Sequence, residues 1–277
     1  MQKRAQILTC LRQSIARIDG TRERLDNAHT GECLPLGVEE IDKLLDGGLN
    51  LSDLHEVRCS NARDIGCAKG FLLALLGRLE HAGQVIWITE PAAVLETGAL
   101  FPGGLKPFGF DASRFIHIRP THLNDALWAA GEAAVTPGLA AVVFHIKGNP
   151  KAIDFPASRK LTLRSQTSRT PIFVIRQSGE EEVSSAVTRW HVAPAASLAQ
   201  PNFTKGVGNM RLSLTLERNR NGHTGKWTIA WNPETRSFEN AANTLTAAHT
   251  GVPLHASAHK PHRPQAMGQV LAYKKTG

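Results

Sequence analysis

The stretch LHEVRCSNARDIGCAKGFLLALLGRLEHAGQVIWITE, Leu54–Glu90, sets the architecture. LHEV is a short apolar strand, and FLLALLGRLEHAG reads as a helix opened by Gly70 and ended by Gly83. QVIWITE is a strand enriched in β-branched residues. The same alternation continues outward. RFIHIRP (114–120) is a strand, and NDALWAAGEAAV (124–135) is a helix capped by Asn124 or Thr121. LAAVVFHI (139–146) is a wholly apolar strand, SRKLTLRSQTSR (158–169) a helix and PIFVIRQ (171–177) a strand. Apolar strands alternating with helices imply an α/β fold whose mainly parallel sheet carries helices on both faces. In RLSLTLER (211–218) and KWTIAWN (226–232) apolar and polar residues alternate around an Asn221-Gly222 turn signal, which predicts a C-terminal antiparallel hairpin at one sheet edge.

This core is expected over residues 31–240. Residues 1–30 read as an N-terminal amphipathic helix and linker, with Ile7, Leu11, Ile15 and Ile18 on one stripe. Residues 241–277 are rich in Ala, His, Thr, Pro and Gly and read as a tail without a fold of its own. Over 277 residues, 42% are hydrophobic and 20% charged, which excludes global disorder. The longest apolar runs fall well short of the ~18 residues of a membrane span. The N-terminus is broken by Arg12 and Arg17, so a signal peptide is not expected, and four cysteines without C-x-x-C spacing suit a reduced, cytoplasmic protein. The net charge of +8 sits on the ends: +3 in residues 1–30 and +4 in residues 241–277. A folded DNA-binding face would concentrate it instead.

The loop after LHEV is where a phosphate-binding loop belongs, because backbone N–H groups and a helix N-terminus can surround phosphates there. A lysine must then neutralise phosphate oxygens and a Ser/Thr hydroxyl must hold Mg²⁺. Here Gly66, Lys69 and Gly70 are present, but Lys69 falls one position early and Phe71 and Leu72 follow Gly70. Glu90 ends its strand where an acid positions an attacking water, and Gln177 ends another where a γ-phosphate is sensed. His145, however, stands where a Mg²⁺-binding acid is needed. The lysine, the hydroxyl and the metal acid are all missing, so neither nucleotide hydrolysis nor a cofactor is expected. There is no G-x-S-x-G elbow, and the glycine pair at Gly206 and Gly208 lacks the rest of a dinucleotide loop. His255, His259 and His262 have helical spacing, but Pro261 and the lack of nearby acids argue against a metal site.

LPLGVEEIDKLLDGGLNLSDLHEV (34–57), FGFDASRFIHIRP (108–120) and the hairpin resemble successive parts of RecA-type recombinase cores. Within that superfamily DALWAAGEA, SRKLTLRSQTSRTPIFVIR and SSAVTRWHVAPAAS resemble the ImuA family, also labelled SulA-like. That resemblance implies a non-catalytic adaptor in SOS-induced translesion synthesis. It implies as partners an ImuB-like inactive relative of Y-family polymerases, an error-prone replicative-type DNA polymerase and RecA itself, with nucleoid association when DNA is damaged. Partner contacts are expected from Ile7, Leu11, Ile15 and Ile18, and from Lys260, Arg263, Lys274 and Lys275 in the tail. A mobile loop over 179–209 is expected to offer Arg189 and Lys205 to DNA phosphates, against repulsion from Glu180, Glu181 and Glu182. Trp190, Trp227 and Trp231 are expected in the core. Two other readings stay open: a RecA-like protein that binds ATP and single-stranded DNA, with Lys69 swung into the phosphate position, and a SulA-like cell-division inhibitor.

Overall fold

A computed structural model describes residues 32–80, 83–197 and 208–241. The elements in chain order are β1 Cys33–Leu34, α1 Glu39–Leu44, β2 Leu49–Asn50, β3 Leu54–Cys59, α2 Ile65–Leu76, β4 Gln84–Thr89 and α3 Pro91–Thr97. They continue with β5 Phe115–Ile118, α4 Leu123–Ala133, β6 Leu139–Lys147, α5 Phe155–Ser168 and β7 Ile172–Gln177. The last four are strands: β8 Thr188–Pro194, β9 Arg211–Asn219, β10 Gly225–Asn232 and β11 Ser237–Asn240.

Nine strands form one sheet in the order β11-β10-β9-β8-β3-β7-β6-β4-β5. From β8 to β5 all neighbours run parallel, and β9, β10 and β11 follow antiparallel. This is the expected RecA-like α/β architecture, with the hairpin present as β9–β10 and β11 added outside it. Because strand side chains alternate, the sheet buries two separate cores. One joins α2 to Val57, Cys59, Trp87, Phe173, Trp190 and the apolar face of β9–β11. The other joins α4 and α5 to Leu54, Ile88, Val142, Phe144 and Val174. Trp190 and Trp231 are buried, and Trp227 packs against the first core partly exposed.

Three local expectations are corrected. Helix α2 starts at Ile65 and not at Gly70, because a 3₁₀ turn over Ala62–Asp64 leads straight into it. Gly70 is therefore buried inside the helix, facing Met210 and Phe108. The helix ends at Leu76, where Gly77 lies against the Phe108 carbonyl. Helix α4 begins at Leu123 after His122, and neither Asn124 nor Thr121 caps it. Finally, β8 occupies much of the expected loop, because Thr188, Trp190 and Val192 alternate inward between β3 and β9. Among the described residues no helix is long and apolar enough to cross a membrane.

Gly48 closes the small β1–β2 pair that precedes β3. Its φ is +138°, and an added Cβ would meet the Leu34 carbonyl. Backbone on both sides leaves no room to yield, so Gly48→Ala is expected to destabilise by about 2 kcal/mol or more in urea unfolding.

Candidate functional site at the strand ends

The C-terminal ends of parallel strands form the usual binding crevice of an open α/β sheet. Here β3, β7, β6 and β4 end in Cys59, Gln177, Lys147 and Thr89. The first turn of α2 faces this edge with Ile65, Gly66 and Cys67, followed by Ala68. Those side chains provide no cation, no hydroxyl and no metal ligand of the kind a nucleotide phosphate needs. Lys69 sits one turn further along, half-buried, and burial lowers its pKa. No carboxylate or other hydrogen-bonding group pairs with it among the described residues.

The polar groups at the neighbouring strand ends bind one another. Gln177 Oε1 accepts from the Thr97 hydroxyl at 2.9 Å and from His145 Nε2 at 3.0 Å, while Gln177 Nε2 donates to Glu96 Oε2 at 2.6 Å. Glu96 Oε2 also pairs with Lys147 Nζ at 3.3 Å. The Glu90 backbone N–H donates to the His145 carbonyl at 2.9 Å, and Glu90 Oε1 accepts from the Lys147 backbone N–H at 2.8 Å. Burial raises the Glu90 pKa, opposed by that N–H. Glu90 is thus a clasp between β4 and β6, and Gln177 is tied to Thr97, His145 and Glu96, with the second Nε2 hydrogen left without an acceptor among the described residues. His145 is fully buried, and burial together with the nearby Lys69 cation lowers its pKa to about 3. Donation from Nε2 leaves Nδ1 as a lone-pair acceptor, which has no partner among the described residues. His117 donates to or accepts from the Thr89 hydroxyl at 2.9 Å, and burial lowers its pKa as well.

A second polar group lies across β3, β7 and β8. Glu56 Oε1 accepts from Arg176 Nε at 3.1 Å, and Glu56 Oε2 accepts from Arg189 Nε at 2.7 Å and from the Ser184 hydroxyl at 2.9 Å. Arg189 is 3% exposed and also donates to the Glu182 carbonyl and Ser184. A guanidinium so enclosed does not meet a DNA phosphate, which corrects the expected contact. The segment before β8 is held by Arg58 and Asn149, which donate to the carbonyls of Gly179 and Glu180, and by Arg218, which donates to that of Ser184. Glu180, Glu181 and Val183 face outward.

Ile7, Leu11, Ile15, Ile18, Lys205, Lys260, Arg263, Lys274 and Lys275 lie outside the described residues, as do His255, His259 and His262. Sequence reading missed the Glu56–Arg176–Arg189 cluster and a Ser60–His191 pair. The available signal was a charge inside each apolar strand: Glu56 in LHEV, Arg176 in PIFVIRQ and Arg189 in TRWHV. Among the described residues no group of three or more His, Cys, Asp or Glu side chains is placed to hold a metal ion.

Sheet order and strand-end crevice together define a protein of the RecA-like α/β class. The chain is 31% identical over 198 residues to Protein ImuA of Caulobacter vibrioides, in strain NA1000 / CB15N and equally in strain ATCC 19089 / CIP 103742 / CB 15. The match spans 66% of this chain and 76% of each relative. This chain belongs to the ImuA family. No family model matches it.

Proposed function

We propose that this chain is a non-catalytic adaptor in damage-induced translesion DNA synthesis, joining an ImuB-type protein to an error-prone polymerase. Its working surfaces are then protein-binding ones, in the cytoplasm and at the nucleoid after damage. The observation that carries the reading is the first turn of α2, where Gly66, Cys67 and Ala68 stand in place of a phosphate-binding lysine and hydroxyl. The hydrogen bonds of Glu90 and Gln177 support it, because they tie both side chains to neighbouring strand ends and helix α3. Membership of the ImuA family supplies the process.

Affinity capture of the full chain from damage-treated cells, read by mass spectrometry, tests it. Retention of an ImuB-type protein is expected; its absence, with a recombinase or a division GTPase in its place, overturns the reading. A second reading, weak nucleotide binding, is favoured by one observation: Lys69 is a half-buried cation without a counter-ion among the described residues, near His117 and His145. Titration with labelled ATP and Mg²⁺ separates the two. No saturation at micromolar ATP is expected, and Lys69→Ala is expected to change nothing. Micromolar affinity lost in that variant would favour the nucleotide-binding reading.

A further inference from the structure

Ser60 and His191 lie outside everything assigned above. Ser60 directly follows β3, and His191 sits on β8 opposite Arg58 in the parallel register. The Ser60 hydroxyl lies 2.8 Å from His191 Nε2, with Ser60 itself exposed. Strand pairing on both sides fixes the histidine: β8 is held between β3 and β9, with His191 opposite Thr215. Nucleophile and base are therefore positioned by sheet geometry and not by a glycine-flanked elbow. The backbone N–H groups of Ala62 and Arg63, two and three residues on, open the 3₁₀ turn and have no acceptor within the described residues.

We propose that Ser60 is a nucleophilic, acyl-accepting hydroxyl activated by His191, taking small activated carboxylic esters. This goes beyond the adaptor reading, whose lack of catalysis concerns nucleotide chemistry at the strand ends, and its failure would leave that reading untouched. The Ser60 oxygen attacks the acyl carbon while its proton passes to His191 Nε2. The bond from the acyl carbon to the alcohol oxygen then breaks, and the leaving alcohol takes that proton from the imidazolium. A Ser60 acyl ester remains; water attacks its acyl carbon as its proton passes to His191 Nε2, the bond from that carbon to the Ser60 oxygen breaks, the Ser60 oxygen takes the proton back from His191, and the carboxylic acid leaves. No oxidant, reductant or metal is required.

The charged groups around the ring are consistent with this role. Arg58 on β3 and Lys226 on β10 oppose protonation, while Glu217 on β9 and Asp64 in the 3₁₀ turn favour it. Glu217 Oε2 accepts from Arg58 Nε at 2.7 Å, so it does not orient the ring as a third catalytic member would. Burial is the largest influence and lowers the His191 pKa, leaving a neutral base at pH 7.

The test is acetylation of the full-length chain by p-nitrophenyl acetate, with the adduct mapped by peptide mass spectrometry. One adduct at Ser60 is expected, with a rate that levels off by about pH 7, above the lowered His191 pKa. Lysine acetylation would instead keep rising toward the lysine pKa near 10. His191→Gln should slow the Ser60 adduct about tenfold or more, since a positioned base typically supplies ~10²–10⁴-fold. Ser60→Ala should abolish it, and Ser60→Cys should restore acylation at position 60. Adducts spread over lysines, unchanged labelling in Ser60→Ala, or a wild-type rate in His191→Gln would overturn the proposal.

Discussion

Glu56→Ala is expected to cost about 3–5 kcal/mol, enough to leave much of the chain unfolded at ordinary temperatures. Glu56 is 1% exposed and lies between two guanidiniums that are also buried. Each of its oxygens accepts from one arginine, and Oε2 also from Ser184. Removing the carboxylate leaves two buried guanidiniums with only the longer pairs to the more exposed Glu182 at 3.6 Å and Glu181 at 3.7 Å. Glu56→Gln should cost nearly as much, because an amide keeps the shape but supplies no charge. If Arg176 and Arg189 are changed to Met together with Glu56→Leu, most of the loss should return, since apolar replacement of a whole buried ion cluster is often neutral or stabilising. Equilibrium urea unfolding checks all three variants, and added salt should change the wild-type midpoint little because the pairs are shielded from solvent. A Glu56→Ala midpoint within experimental error of wild type would refute the assignment.

This cluster also shows where the sequence stopped being legible. Alternation and turn chemistry were sufficient for the sheet, because buried strands such as LAAVVFHI and the β9–β10 hairpin advertise their period directly. The start of α2 was misplaced by five residues: a glycine marks a helix boundary only by its surroundings, and Gly70 is instead a packing position against Met210. The mobile loop expected after β7 follows from the recombinase resemblance and not from a pattern in its own residues. The segment is ordered by long-range hydrogen bonds from Arg58, Asn149 and Arg218, and by a nearer one from Arg189 to the Glu182 carbonyl. At the candidate site, the absence of a lysine and hydroxyl beside the loop was readable from residue type alone. That Glu90 and Gln177 are tied to neighbouring strand ends was not, because hydrogen-bond partners are brought together only in three dimensions.

Acid is expected to destabilise this protein in large part through His145, and His145→Gln should make the loss of stability with falling pH shallower. Burial and Lys69 hold the folded-state pKa of His145 to about 3, against 6.5 for the ordinary imidazole. The sign follows from proton counting. Below pH 6.5 the unfolded chain binds a proton that the folded chain refuses, so the stability present above pH 6.5 is lost as pH falls toward 3. The loss from this single group is about 1 kcal/mol per pH unit across that window. His55, His117 and His191, all lowered by burial, act in the same direction. Glu90 acts oppositely: its pKa is raised, so its protonation at low pH relieves the folded state. The difference between wild type and His145→Gln isolates His145 from these neighbours. Glutamine offers Gln177 Oε1 an N–H in place of the Nε2 donor, yet carries no charge at any pH. Urea midpoints measured at pH 7, 6, 5 and 4 should therefore diverge steadily, with the variant losing less stability on acidification. Parallel pH profiles would mean that His145 takes up its proton in the folded state as readily as in the unfolded one, and that its burial between β4 and β7 is not what the hydrogen bonds at the strand ends maintain.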